Sequence, residues 1–177
     1  MDDDAPPALE FRGYRLEPVY GRVTPDVRDE IVGMWLAAGV IAPDEAKRRV
    51  DEVVYAIRAP SGELAGVNTA YVRDVPGAGA WYFYRTFVRP ADRGTPGLTL
   101  GAFKAAITLL RDHPHPRNPR GVVAIVENQK LMKRGLVARM RRAGLTLVGR
   151  DSAGRDVWCV RFDGSVPVAP ERLLKPV

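Results

Sequence analysis

The stretch VRPADRGTPGLTLGAF, Val88–Phe103, joins two elements of different periodicity. It follows the run AWYFYRTFV, whose aromatic and branched residues are typical of a strand. It leads into apolar residues that recur at the spacing of one helix face from Thr99 onward. The stretch therefore predicts a strand, a loop with Gly94 and Gly97, and the start of a helix.

A loop of this kind suits an anion. The first backbone N–H groups of a helix have no partner within the helix, and the helix dipole places partial positive charge beside them. Gly94 and Gly97 carry no side chain that would keep a phosphate away, and Arg93 can donate paired hydrogen bonds to phosphate oxygens. From these residues alone the junction is either an ordinary turn or a phosphate site.

The rest of the chain alternates between strand and helix patterns. Before the junction we predict a strand, two helices and two further strands: Phe11–Val19, a helix from Pro25 capped by Thr24, a helix from Pro43, Val53–Ala59 and Glu63–Arg73. After it we predict a buried strand, a basic helix and a closing hairpin: Gly121–Glu127, the helix around Leu136 that Gly144 ends, Thr146–Asp151 and Asp156–Phe162.

Composition favours one globular domain. The chain has 177 residues, 46% of them hydrophobic, and a formal net charge of +6. We predict a disordered lead-in over residues 1–9, a single domain over 10–162 and a tail over 163–177. The sequence has no apolar run of the roughly 18 residues that a membrane helix needs, and its lone Cys159 suits a reducing compartment. We expect a cytoplasmic protein without membrane association.

The order of elements resembles the GNAT superfamily of acyl-CoA-dependent N-acyltransferases over Phe11–Phe162. The family's phosphate loop follows Val-x-Pro and has Gln or Arg, two residues, Gly, one residue, then Gly or Ala. Here Val88-Arg89-Pro90 precedes Arg93-Gly94-Thr95-Pro96-Gly97-Leu98-Thr99, which we call the phosphate loop. A strict count places Pro96, which has no N–H, at the first pattern glycine, and a loop one residue longer places Gly97 there.

The resemblance implies an α/β fold of the mixed α+β type. Its central mixed, mostly antiparallel sheet would have six to seven strands, about four flanking helices, and a splay between strands 4 and 5. It also implies acetyl-CoA or another acyl-CoA as cosubstrate, with no metal. The implied coenzyme-binding residues are Phe87 and Val88 for pantetheine, Arg93, Gly94, Thr95, Gly97, Leu98 and Thr99 for pyrophosphate, and Asn128 and Lys133 on the following helix.

The catalytic groups depart from the family pattern. Members often use a Glu on the fourth strand as base, but this chain has Tyr82 there, with Tyr84 on the same side of the strand. Glu127 is the nearest alternative base, acting directly or through a water, and a helix-capping role is the competing interpretation. The family's tyrosine acid corresponds to Met140, which has no proton to donate. The candidate catalytic residues are therefore Glu127, Tyr82 and Tyr84.

Three functions are compatible with the sequence. The first is transfer of an acetyl or other acyl group to a primary amine by direct attack in a ternary complex. The second is a non-catalytic protein of this fold that binds CoA or a partner. The third is a basic nucleic-acid-binding domain, which is disfavoured because no recognised nucleic-acid motif accompanies the charge. The acceptor would be an amine-bearing small molecule, peptide or protein, and members of the family often form homodimers.

Overall fold

The structure is a computed structural model that describes residues 6–113, 115–127 and 134–165. Within these residues eight strands and four α-helices are formed. The strands are β1 Leu9–Phe11, β2 Tyr14–Pro18, β3 Val53–Arg58, β4 Leu64–Val75, β5 Gly79–Val88, β6 Gly121–Ile125, β7 Thr146–Arg150 and β8 Asp156–Arg161. The helices are α1 Pro25–Ala37, α2 Pro43–Arg49, α3 Leu98–Asp112 and α4 Arg134–Arg142.

The strands form one mixed sheet in the order β1-β2-β3-β4-β5-β6-β8-β7. β5 and β6 are parallel, with Tyr82 opposite Val122 and Tyr84 opposite Ala124, and α3 connects them along the chain. β1–β2, β2–β3, β3–β4, β6–β8 and β7–β8 are antiparallel. The predicted fold class, mixed and mostly antiparallel with four helices, is confirmed.

The sheet has eight strands rather than six to seven, because the predicted strand Phe11–Val19 is not continuous. Phe11 pairs with Tyr14, and the chain reverses at Arg12 and Gly13, whose φ angles are 52° and 80°. Two consecutive residues with positive φ are typical of the tight turns that join antiparallel strands. The stretch therefore forms a two-stranded hairpin that begins at Leu9.

The chain contains two compact units. Unit 1 comprises Met1–Ala70 and Thr86–Leu109, and unit 2 comprises Tyr71–Arg85 and Leu110–Val177. In unit 1, α1 begins as predicted, with Thr24 accepting a hydrogen bond from the N–H of Val27 and Pro25 in the first helical turn. The helix contributes Ile31 and Trp35 to the apolar core of this unit, along with residues of α2, β3 and β4.

Unit 1 also contains a fully buried asparagine. The Asn68 side chain on β4 accepts a hydrogen bond from the N–H of Tyr55 at 2.9 Å and donates to the Ala102 carbonyl in α3 at 3.2 Å. The pairing of β3 with β4 shifts register between Val53 and Tyr55. Asn68 therefore supplies an acceptor where the strand pairing is irregular, and it fixes α3 against β4.

Residues from several strands of unit 2 form a hydrophobic cluster. It contains Val75, Trp81, Phe83, Val123, Val148, Val157 and Cys159. Cys159 is fully buried, as the apolar run around it predicts, and burial raises the pKa of its thiol to about 12. Within the described residues, no helix is long and apolar enough to cross a membrane.

Candidate functional site

The phosphate loop lies in unit 1, where it follows a 3₁₀ turn, Pro90–Asp92, and includes the first two residues of α3. α3 begins at Leu98, and the N–H of Gly101 donates to the Gly97 carbonyl at 2.8 Å, so Gly97 immediately precedes the helix. The N–H of Leu98 donates to the Thr95 carbonyl at 3.3 Å. The exposed Thr99 follows in the first turn, where helix geometry gives a backbone N–H no partner within the helix.

The two loop glycines have different roles in the fold. Gly97 has φ +80°, a conformation that strains any residue with a side chain, so the turn into α3 requires glycine. Gly94 has no positive φ, and a β-carbon built on it meets nothing within 4 Å. The fold therefore does not require glycine at position 94.

Arg93 folds back on the end of β5. Its Nε donates to the Val88 carbonyl at 2.8 Å, and its guanidinium carbon lies 5.8 Å from the centre of the Phe87 ring. Val88 is buried, whereas Arg93 is exposed. The structure thus brings together three of the residues predicted to bind coenzyme, and it gives Arg93 a fixed position beside the backbone predicted to pair with pantetheine.

Thr95 is held by residues that sequence analysis did not select. Its hydroxyl donates to the phenol oxygen of Tyr14 at 3.1 Å, and Tyr14 donates to the carboxylate of Asp92 at 2.9 Å. Arg89 also donates to Asp92, through Nε at 2.9 Å. Tyr14 lies 78 positions from Asp92 in the sequence, so no local signal links them.

The two candidate tyrosines belong to unit 2. Tyr82 is fully buried, and its ring packs edge-on against His115 at 5.9 Å and Phe162 at 6.2 Å between ring centres. Tyr84 is 7% exposed. Both tyrosines are therefore largely shielded from solvent, whereas Glu127 is exposed.

Glu127 is exposed at the end of β6, with 83% of its side chain accessible. Its carboxylate lies 4.0 Å from Nη1 of Arg155. Arg155 is also bound by Asp151, and this hydrogen bond is the main reason that the pKa of Arg155 is raised, with a smaller contribution from Glu127. Glu127 is therefore a solvated carboxylate beside a fixed guanidinium.

The other predicted residues of this region are only partly described. Asn128 and Lys133 lie outside the described residues. Met140, at the position of the family's tyrosine, is buried in α4. His115, from the His-x-His sequence, accepts the N–H of Arg117 at Nδ1. Within the described residues, no three His, Cys, Asp or Glu side chains are grouped as a metal site would need.

No family model matches the chain, and no curated protein matches it. Several solved structures, however, are similar to this chain. A GNAT-family acetyltransferase of Bordetella pertussis is 18% identical, with a TM-score of 0.59 over 87% of this chain and 98% of that one. A GNAT-family acetyltransferase of Brucella melitensis, in complex with acetyl-CoA, is 17% identical, with a TM-score of 0.53 over 87% and 91%.

A third similar structure is NAA60 of Arabidopsis thaliana with a bisubstrate analogue. It is 15% identical, with a TM-score of 0.59 over 86% of this chain and 99% of that one. These similarities span nearly the whole length of each protein. The chain has the fold of these GNAT-family structures, as the order of its elements implied.

Proposed function

We propose that this protein is an acyl-CoA-dependent N-acyltransferase of the GNAT superfamily that transfers an acetyl group to a primary amine. The observation that carries the proposal is the phosphate loop, in which Gly97 at φ +80° opens α3 and Arg93 is fixed beside Val88. The matched Brucella structure contains acetyl-CoA, and a matched ribosomal L7/L12 alpha-N-protein acetyltransferase contains CoA. Both support an acyl-CoA cosubstrate here.

In this proposal the loop binds pyrophosphate through backbone and guanidinium groups. The amides of Gly97, Leu98 and Thr99 lie at the start of the helix, where dipole and hydrogen bonding favour an anion. The amide of Leu98 would have to exchange its long contact to the Thr95 carbonyl for a phosphate oxygen. Arg93 uses Nε for Val88, so its two Nη groups supply the remaining donors.

Pantetheine would pair with the backbone near Phe87 and Val88. Main-chain pairing fixes the depth of the thioester carbonyl, and a backbone N–H at this point can stabilise the oxyanion as it develops. The side chain of Val88 is buried, so only its backbone would serve the coenzyme. We therefore expect conservative apolar changes at Val88 to alter stability more than coenzyme affinity.

The chemistry needs a neutral amine. The nitrogen lone pair attacks the thioester carbon, a C–N bond forms and the C–S bond breaks, and the amine proton passes to a base while the thiolate is protonated from solvent. We propose Glu127 as this base, through a water, because its carboxylate is open to solvent whereas Tyr82 and Tyr84 are enclosed. Glu127→Gln should lower kcat about 100-fold and leave coenzyme affinity unchanged. If Glu127→Gln keeps the wild-type kcat, the base is another group.

Calorimetric titration with acetyl-CoA, CoA and dephospho-CoA tests the proposal. We expect the wild-type protein to bind acetyl-CoA and Arg93→Gln to weaken binding. Gly97→Asp should abolish it, because the substitution strains the turn into α3 and adds a negative charge beside the pyrophosphate. Arg111→Gln, a change at an exposed arginine near the other end of α3, is the matched control. Lack of binding by the wild-type protein would reject the proposal.

The acceptor can then be sought by mass spectrometry. The named substrates of the matched L7/L12 acetyltransferase make the α-amine of a protein the first acceptor class to screen, followed by lysine side chains and small amines. Size-exclusion chromatography at the assay concentration would test the expected homodimer. Coenzyme binding without turnover on any amine would favour the non-catalytic alternative.

The third candidate function, nucleic-acid binding, rests on charge distribution. Unit 2 has 16 basic and 7 acidic residues, whereas unit 1 has 11 basic and 14 acidic residues. α4 contains no acidic residue and exposes Arg139, Arg141 and Arg142. The helix dipole also favours cations at this end of a helix, so the charge alone does not require a partner. RNA binding that weakens steeply with salt and with Arg139→Gln/Arg142→Gln would support it.

A further inference from the structure

Asp92 is a buried carboxylate directly before the phosphate loop. The residue is 8% exposed and ends the 3₁₀ turn that begins at Pro90. Removing an ionised carboxylate from water costs several kcal/mol unless hydrogen bonds and an opposite charge compensate. The groups that hydrogen-bond to the Asp92 carboxylate therefore indicate what its burial does for the loop.

Both carboxylate oxygens of Asp92 are bound. Oδ1 accepts the phenol O–H of Tyr14 on β2, and Oδ2 accepts Nε of Arg89 at the end of β5, each at 2.9 Å. This hydrogen bond to Asp92 is the main reason that the pKa of Arg89 is raised. The Arg89 backbone is itself held, because its N–H donates to the Ala65 carbonyl at 2.8 Å. Asp92 thus attaches the beginning of the loop to β2 and to the residue that follows β5.

The constraint continues into the loop through Thr95. Tyr14 donates to Asp92 and accepts from the Thr95 hydroxyl at 3.1 Å, so the direction of the hydrogen-bond chain runs from Thr95 to the carboxylate. The N–H of Thr95 donates to the Asp92 carbonyl, and the Thr95 carbonyl accepts from Leu98, both at 3.3 Å. The chain of contacts therefore extends from a buried anion to the first residue of α3.

We propose that Asp92 is a positioning residue for coenzyme, which holds the phosphate loop in the conformation that binds pyrophosphate. This inference rests on the proposed function. This role requires Arg89, because the negative charge of Asp92 beside an anion site would oppose binding if the positive charge of Arg89 did not offset it. Tyr14 transmits the constraint, and Thr95 is fixed by it rather than free to contact phosphate through its hydroxyl.

Asp92→Asn separates positioning from electrostatics by the sign of its effect. The substitution removes a negative charge, which by Coulomb interaction alone would strengthen anion binding. It also replaces one carboxylate oxygen with an NH₂ group, which cannot accept from Tyr14 or Arg89. Positioning therefore predicts weaker binding, and a purely electrostatic role predicts tighter binding.

Asp156→Asn is a matched control in unit 2. Asp156 is also 8% exposed, and it accepts from Nε of Arg150 at 3.0 Å. The two variants thus each disturb a buried aspartate paired with an arginine Nε, but only one lies beside the phosphate loop. Thermal denaturation would confirm that both variants fold.

The test is calorimetric titration of both variants with CoA and dephospho-CoA. We expect Asp92→Asn to raise Kd about tenfold for both ligands, because the loop contacts the pyrophosphate that they share. Tyr14→Phe, which keeps the ring and removes the hydroxyl, should raise Kd about threefold, and Asp156→Asn should change it less than twofold.

Two outcomes would overturn the inference while leaving the proposed function intact. One is Asp92→Asn binding CoA as tightly as wild type or more tightly, and the other is an equal loss in Asp156→Asn. If the wild-type protein bound neither ligand, the proposed function would fail first and the positioning role with it. Should Asp92→Asn not fold, the Tyr14→Phe comparison decides the matter, and unchanged affinity there would reject the inference.

Discussion

The Phe11 ring lies against Gly101 in the first turn of α3. A β-carbon at position 101 would come within 2.8 Å of the Phe11 ring, and one at Gly97, a helical turn earlier, would lie 3.6 Å from it. Gly101 is therefore small because the β1–β2 hairpin occupies the space beside the helix.

Gly101→Ala should destabilise the protein by about 1 kcal/mol, because displacing Phe11 outweighs the gain in helix propensity. Gly33, inside α1, is the matched control, since a β-carbon there meets nothing within 4 Å. Gly33→Ala should stabilise by about 0.5–1 kcal/mol. Urea denaturation measures both, and equal effects of the two substitutions would contradict the contact with Phe11.

Gly97→Ala and Gly94→Ala should differ in stability. The first forces a residue with a side chain into φ +80° and should cost about 1–2 kcal/mol, whereas the second meets open space and should leave the melting temperature unchanged. Titration of Gly94→Ala with CoA then tests ligand approach separately from folding. A higher Kd without loss of stability would indicate that phosphate lies against position 94.

Asn68→Ala should lower the free energy of unfolding by about 2 kcal/mol. The substitution leaves the buried N–H of Tyr55 without its acceptor and removes the donor to Ala102. Asn68→Asp should also destabilise, because a carboxylate oxygen would then face the Ala102 carbonyl oxygen. Chemical denaturation checks both, and a cost below 0.5 kcal/mol for the alanine variant would mean that water replaces the amide.

Cys159 should make stability depend on pH in alkaline solution. Burial raises its pKa from an ordinary 9 to about 12, so the folded protein holds the neutral thiol where the unfolded chain has begun to ionise. The contribution of the buried neutral thiol to the free energy of unfolding is fully present below pH 9, and it is lost as the pH rises from 9 toward 12. The difference between wild type and Cys159→Ala, measured from pH 8 to 11, should shrink over this range. A constant difference would contradict burial of the thiol.

Much of the fold could be predicted because its signals are local. Thr24 and Pro25 mark the start of α1, and the apolar period places the start of α3 at Thr99, one residue from the observed Leu98. The continuous apolar run from Gly121 forms β6, the strand parallel to β5. Capping residues and hydrophobic period act within a few residues, so the sequence displays them directly.

The rest depends on contacts that sequence order does not display. Arg12 has φ 52°, although arginine is not a residue that turn statistics associate with positive φ, so the β1–β2 hairpin had no recognisable signal. Asp92 resembles an ordinary polar loop residue until Tyr14, 78 positions away, is placed beside it. The small size of Gly101 is likewise explained only by Phe11.

The β1–β2 hairpin supplies both Phe11, which packs on the start of α3, and Tyr14, which binds Asp92 and Thr95. Any ligand that stabilises the phosphate loop must, by thermodynamic linkage, also stabilise this hairpin. Amide hydrogen exchange across Leu9–Leu16 should therefore slow when acetyl-CoA is added. Ligand binding at the phosphate loop would therefore be detected as slower exchange in β1 and β2. A cleavable tag or a truncation at these strands would in turn disturb the phosphate loop.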